Sequence, residues 1–215
     1  MSSNPPINSP KQRAAEAAAA LVQNGMAVGL GTGTTAELVI RALSERVAEE
    51  GLKFLGVPTS VETAELASTL RIPLRELDDV DVLDLNLDGA DEIDPEFRMI
   101  KGRGGALLRE KLVVTAARKR VTVITEEKQV AKLGLNALIP VEVSPIGSRH
   151  TQKRLQALGA QTTLRIRADG DAGFASPAAS PETSALALAT RFWTSPNDKS
   201  FMKRGLTRPS NGWNA

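Results

Sequence analysis

Met26-Ala27-Val28-Gly29-Leu30-Gly31-Thr32-Gly33-Thr34-Thr35 decides how this chain folds. A short apolar run enters a glycine-threonine loop, and from Ala36 to Glu49 the residues Leu38, Val39, Ala42, Leu43 and Val47 recur at helical spacing. The stretch reads as strand, loop, helix. Upstream, the Ala-rich run from Lys11 to Asn24 predicts a helix that stops at Gly25. Downstream, Leu52 to Val57 is expected to be a strand, Pro58-Thr59-Ser60 a turn with cap-type hydroxyls, and Val61 to Leu70 a helix. Val82 to Asp88 alternates apolar and polar residues and reads as a half-buried strand. A helix from about Gly105 to Arg120, a strand from Val121 to Thr125 and a short helix from about Glu127 to Leu133 follow. Such alternation predicts an α/β fold with a mainly parallel sheet and helices on both faces.

A chain of 215 residues can hold one large domain, or a domain with a small appendage, around a real core. Its formal net charge of +2 is close to balance, which argues against a dedicated nucleic-acid surface and suits a phosphorylated metabolite better. The absence of cysteine removes disulfide and thiolate chemistry and favours a reducing, cytoplasmic setting. Residues 1–10 are polar and proline-rich and read as a disordered leader, not as a signal peptide or a membrane anchor.

The organisation changes after residue 135. Pro140 to Pro145 reads as a strand bounded by prolines, Ser148 to Leu158 as a helix ending at Gly159, and Thr162 to Arg167 as a strand. These define a sheet domain over 11–135 and the start of a smaller, incomplete α+β domain over 136–170. From Asp171 to Ala215 no strand or helix period is sustained, and Ala172 to Thr190 is dominated by Ala, Ser, Pro and Thr. Residues 171–215 therefore read as an aberrant, poorly ordered tail.

Two loops carry chemistry. Gly31 to Thr35 offers backbone N–H groups, three threonine hydroxyls and a helix N-terminus, an anion cradle suited to phosphate. Its glycines at 29, 31 and 33 are out of register for a dinucleotide fingerprint, and no Lys-Ser/Thr follows as in a P-loop. The plain structural alternative is a turn that lets strand and helix pack closely. The second loop begins at the carboxyl end of the 82–88 strand with Asp88-Gly89-Ala90-Asp91-Glu92 and continues to Lys101 and Glu110. Singly, these residues read as an acidic loop, a surface lysine and an exposed helical glutamate. Together, at the strand ends of one sheet, they supply a carboxylate base, a cation for an enediolate oxygen and acids for hydroxyl protons. The helix N-terminus is expected to keep Glu110 ionised. A metal-assisted route would want clustered histidines or a tight carboxylate cage and a serine triad would need a histidine, and the single His150 sits among Arg149, Gln152 and Lys153 on what reads as a surface helix.

Six ordered motifs resemble ribose-5-phosphate isomerase of the A type: Gly-Leu-Gly-Thr-Gly-Thr-Thr at 29–35, Gly-Val-Pro-Thr-Ser at 56–60, Asp-Gly-Ala-Asp-Glu at 88–92, Lys-Gly-Arg-Gly-Gly-Ala-Leu-Leu-Arg-Glu-Lys at 101–111, Val-Ile-Thr-Glu-Glu-Lys-Gln-Val at 123–130 and Pro-Val-Glu-Val-Ser-Pro at 140–145. The resemblance covers about residues 11–167. It implies a Rossmann-like domain, a smaller α+β domain, assembly as a homodimer or homotetramer, and interconversion of ribose 5-phosphate and ribulose 5-phosphate through an enediolate, with no metal and no coenzyme. It further implies Glu110 as the base, Asp88 and Asp91 for hydroxyl protons and ring opening, and Lys101 at the enediolate oxygen. Thr32, Gly33, Thr34 and Thr35 would hold the phosphate end, with Lys128 and Lys11 adding charge. Gly89, Ala90, Gly102, Arg103 and Gly104 would line the sugar. Arg103 stands where many relatives have glycine and is expected to point outward. The Thr-Asp-Asn-Gly-Asn strand and the Gly-Val-Val strand of relatives do not follow Asp169, as after a shifted reading frame. Two alternatives accompany the isomerase expectation: a sugar-phosphate sensor without catalysis, and an inactive, truncated isomerase.

Overall fold

The computed structural model describes residues 9–144, 146–166 and 172–176. Helix α1 (Pro10–Ala19) starts at Ser9, whose side chain accepts the Gln12 N–H, with Pro10 at the first helical position. The chain continues through β1 (Ala27–Leu30), α2 (Thr34–Glu50), β2 (Leu55–Pro58), α3 (Val61–Thr69) and β3 (Leu85–Gly89). A two-stranded hairpin, β4 (Glu92–Ile93) and β5 (Met99–Ile100), leads to α4 (Leu107–Thr115) and β6 (Arg120–Val123).

Strands β2, β1, β3 and β6 form one parallel sheet in that order. The chain steps from β1 outward to β2 and returns to β3 on the other side of β1. The carboxyl ends of β1 and β3 therefore flank a topological switch point, where open α/β sheets bind ligands. One face is covered by α1 and α2: Ala15, Ala19, Val22, Val39, Ile40 and Leu43 pack with Val28, Leu30, Leu85 and Leu87. The other is covered by α4, whose Val113 packs with Val57 and Leu83. Each fully buried aliphatic side chain contributes about 1.5–3 kcal/mol.

Coverage on both faces corrects the expectation of a half-buried strand. Asn86 and Asp88 are only 2% and 4% exposed, because the polar side of β3 lies beneath α4. Helix α4 is also shorter than its apolar spacing suggests. It ends at Thr115, Leu83 and Ala117 form a bridge, and Arg118 donates to the Leu83 carbonyl, so the chain is drawn into β6 early. The helix expected at 127–133 is a single 3₁₀ turn, Glu126–Lys128. Glu92 explains part of this, since its carboxylate accepts the N–H groups of Gly134, Asn136 and Ala137 and holds that loop open.

A second sheet contains β7 (Ile139–Val143), β8 (Thr163–Ile166) and β9 (Ala172–Ser176), antiparallel, with β9 in the middle. Helix α5 (Ser148–Ala157) connects β7 to β8. Strand β9 corrects the tail boundary drawn at Asp171: five residues read as aperiodic are the central strand, their pattern set by two flanking strands and not by alternation. Pro10 likewise belongs to α1 and not to a loose leader. The remaining expectations for the leader and the tail concern residues 1–8, 171 and 177–215, outside the described residues. Among the described residues no helix is long and apolar enough to cross a membrane.

Candidate active site

Four loops meet at the carboxyl ends of β1 and β3. The first approach is dictated by Gly31: a Cβ there would stand 2.3 Å from Asp88 Oδ1, so only glycine lets the cradle loop pass the acidic strand end. Asp88 Oδ1 accepts the Gly89 N–H at 2.7 Å, leaving Oδ2 to face Lys101.

Lys101 lies between the acids. Its Nζ is 2.9 Å from Asp88 Oδ2 and 3.5 Å from Glu110 Oε1, and it donates to the Gly89 carbonyl at 2.6 Å. All three side chains are buried, with exposures of 4% for Asp88, 7% for Lys101 and 4% for Glu110. Burial pulls the Lys101 ammonium down, but Asp88 and Glu110 outweigh it and leave its pKa above the ordinary value. Glu110 moves the other way from the sequence expectation. It sits in the first turn of α4, yet burial raises its carboxyl to about 7; Lys101 opposes the rise, and Asp88 and Asp91 add to it. Desolvation outweighs the helix end because the carboxyl points into the cluster and not at solvent. Glu110 Oε2 has no hydrogen-bond partner among the described residues.

Asp91 is half-buried, and its Oδ2 accepts the Arg103 N–H at 3.1 Å. That bond ties the acidic turn to the loop after Lys101. The left-handed positions there fall on Gly102 (φ 98°) and Gly105 (φ 89°), so Arg103 is spared backbone strain, and its side chain is exposed as expected. Gly104 approaches the cradle, where a Cβ would meet the Thr32 methyl at 3.7 Å. Ala90 packs against Ile93 and Met99.

In the cradle, Lys11 Nζ donates to Thr34 Oγ1 at 2.5 Å, and Gly33 is the N-cap of α2 with Thr34 and Thr35 opening the helix. Thr35 lies beside Gly89, whose added Cβ would stand 3.6 Å from the Thr35 Cβ. Glu127 is held below its ordinary pKa chiefly by the Thr125 hydroxyl, with lesser contributions from Lys128 and Lys11. Lys11 thus reaches the cradle at Thr34, while Lys128 is the chain neighbour of Glu127.

Three supporting hydroxyls escaped the sequence reading as site residues. Thr32 Oγ1 lies 2.7 Å from Thr59 Oγ1, and Thr63 donates to the Gly31 carbonyl at 2.8 Å. Ser60, as its turn position suggested, caps α3 by accepting the Thr63 N–H. Buried Asn86 was also missed; the signal was its place two residues before Asp88, on the same face of β3. His150 is exposed on α5. Among the described residues no group of three or more His, Asp or Glu side chains is arranged to hold a metal ion.

Chemically, the cluster offers a carboxylate poised near neutrality, with one oxygen unengaged among the described residues, beside a fixed ammonium and a second carboxylate. That set suits proton transfer at a carbon next to a carbonyl.

Residues 55–179 match the family Ribose 5-phosphate isomerase A (phosphoriboisomerase A). The match extends across β9, beyond the 167 limit of the motif resemblance. Ribose-5-phosphate isomerase A of Synechococcus sp. (strain JA-3-3Ab) is 52% identical over 162 residues, covering 75% of this chain and 70% of the relative. The enzyme of the same name from Thermomicrobium roseum is 52% identical over 161 residues, covering 74% and 68%. Among solved structures, ribose 5-phosphate isomerase A from Methanocaldococcus jannaschii superposes with a TM-score of 0.77 at 37% identity over 86% of both chains. A D-ribose-5-phosphate isomerase in complex with phospho-erythronic acid gives 0.74 at 33% identity, over 78% of this chain and 77% of that one.

Proposed function

The chain belongs to the ribose-5-phosphate isomerase A family, and from that premise we propose how its own residues interconvert ribose 5-phosphate and ribulose 5-phosphate. The phosphate lies on Thr32, Gly33, Thr34 and Thr35 at the start of α2, with Lys11 and Lys128 balancing its charge. Gly89, Ala90, Gly102, Arg103 and Gly104 surround the sugar, while Asp88 and Asp91 manage hydroxyl protons and ring opening. In the open-chain aldose, Glu110 Oε2 takes the proton from C2 as the electron pair moves toward the carbonyl oxygen O1. Lys101 holds the enediolate oxygen. Glu110 then returns the proton to C1, the proton on O2 is transferred to O1, and the carbonyl now stands at C2. Atoms and electrons balance without an external oxidant.

The observation that carries this reading is Glu110: buried, raised to about 7, with an oxygen that has no partner among the described residues and the Lys101 ammonium alongside. A relative solved with phospho-erythronic acid, a phosphorylated sugar acid, supports the substrate class. A module that only sensed the sugar phosphate would have no need for a desolvated carboxyl near neutrality. The same reading includes a catalytic unit over 11–135 with a smaller α+β unit after it, a cytoplasmic homodimer or homotetramer, and no nucleic-acid or membrane partner.

The test is ribulose 5-phosphate formation by the full chain and by Glu110→Gln. The variant should lower kcat by about 10³-fold, within the range for loss of a positioned base. Turnover within tenfold of the parent would remove Glu110 from that role.

A further inference from the structure

The strand motif at 140–145 has no part in the proton transfer, yet its glutamate reaches the helix that carries the base. Leu108 donates its N–H to Glu142 Oε2 at 2.5 Å. Helix α4 needs such an acceptor, because its N-cap is Ala106 and supplies no side-chain bond. From β8, Arg165 donates to the carbonyls of Arg103, at 2.5 Å, and Gly104, at 3.1 Å. The two contacts lie along the one segment that begins with Lys101 and ends with Glu110.

Register joins them. Glu142 pairs with Gly173 on one side of β9, and Arg165 pairs with Gly173 on the other. The row Glu142, Gly173, Arg165 crosses the antiparallel sheet, so both side chains leave the same face. A slip of either strand by one residue would turn its side chain away.

We propose that Glu142 and Arg165 are positioning residues for the isomerase reaction, a clamp by which the antiparallel sheet fixes the Lys101–Glu110 segment. Glu142 acts on the first turn of α4, where the Glu110 N–H bonds the Ala106 carbonyl at 2.9 Å. Arg165 acts on the loop that Asp91 grips from the other side through the Arg103 N–H. Misplacing reacting groups by about 1 Å costs on the order of 10²-fold in rate, so two peripheral hydrogen bonds suffice to matter. The inference rests on Lys101 and Glu110 being the reacting groups.

The experiment compares Glu142→Ala, Glu142→Gln, Arg165→Met and Glu110→Gln in the full chain, with kcat, KM and the thermal transition of each measured well below unfolding. Glu142→Ala and Arg165→Met should each lower kcat by roughly 10- to 50-fold with KM within about twofold. Glu142→Gln, which keeps a neutral acceptor oxygen in place, should recover kcat to within about threefold of the parent. Equal losses in the Ala and Gln variants would overturn the clamp, as would full kcat in folded Glu142→Ala and Arg165→Met. If Glu142→Ala does not fold, exposed Arg165→Met decides alone. Parent-like turnover in Glu110→Gln would instead strike the assignment of the base, so the two failures are distinguishable.

Discussion

In the parallel sheet, β1 and β3 are sandwiched between α1 and α2 on one face and α4 on the other, and Leu30, Leu43 and Leu87 are at most 1% exposed. The antiparallel sheet leaves Leu164 of β8 43% exposed, and its helix α5 has no buried residue. One layer spends its side chains on a core; the other extends them, as Glu142 and Arg165 do. The difference follows from where the charge sits. A sheet end holding Asp88, Lys101 and Glu110 away from water needs rigid, apolar support on both faces, since each buried ion is stable only if its partner stays in place. A sheet that supplies hydrogen bonds from outside has no such requirement.

Lys101→Met strikes the supported side hardest. It leaves Asp88 and Glu110 facing each other without the ammonium between them, and removes the cation proposed for the enediolate oxygen. We expect kcat to fall by on the order of 10²- to 10³-fold. Because Lys101 lowers the Glu110 pKa, the acidic limb of the residual activity should also move above its parent position. A pH–rate profile on the variant measures both, and an unmoved limb would separate Lys101 from Glu110.

The two layers should also differ in what truncating a leucine costs. Leu43→Ala, at 0% exposure in the larger cluster, should destabilise by about 3 kcal/mol, in the middle of the range for buried leucine. Leu164→Ala should change stability by less than about 1 kcal/mol. Urea unfolding of both variants checks the contrast, and equal costs would show that the antiparallel sheet is buried in solution.

The legible part of the molecule was the part with local causes. Ser60 as a cap, the helical spacing over 36–49 and the alternation of strands and helices that predicts a mainly parallel sheet all follow from neighbours in sequence. Strand β9 did not, because Ala172–Ser176 owes its place to β7 and β8, both distant along the chain. Residues Asp88, Lys101 and Glu110 were legible as a set, but the burial of Glu110 was not. Its helix spacing marks it as exposed, and only the packing of α4 over β3 turns it inward. The Glu142 contact was hidden for the same reason: a capping glutamate 34 residues from its helix leaves no spacing to read.

That hidden burial has a pH signature. A carboxyl raised from 4.5 to about 7 binds its proton more tightly folded than unfolded. Its ionisation therefore subtracts from stability, with no cost well below pH 4.5 and the full cost above about pH 7. Glu110→Gln removes the cost and should be more stable than the parent at pH 8, by on the order of 3 kcal/mol, with the gain vanishing as pH falls to 4. In the parent, kcat/KM should rise through about pH 7 as Glu110, the proposed base, ionises, opposite in direction to stability. A Glu110→Gln variant no more stable at pH 8 than the parent would mean that the carboxyl is hydrated in solution.

The smallest effect tests the hydroxyls beneath the proposed phosphate cradle. Buried Thr59 donates its side-chain proton to the Leu30 carbonyl at 3.0 Å, and that carbonyl already receives the Thr59 N–H at 2.9 Å. The hydroxyl is thus free to turn toward Thr32 Oγ1, 2.7 Å away, without orphaning Leu30. Thr32 would then direct its own proton to the phosphate. Thr59→Val preserves shape and leaves the Leu30 carbonyl satisfied, so stability should move little, while Thr32 loses its donor. A single neutral hydrogen bond of about 1 kcal/mol predicts a roughly fivefold rise in KM for ribose 5-phosphate with kcat within twofold. A fall in kcat at unchanged KM would place Thr59 with the reacting carbons and not with the phosphate, and would redraw the boundary between cradle and proton-transfer cluster.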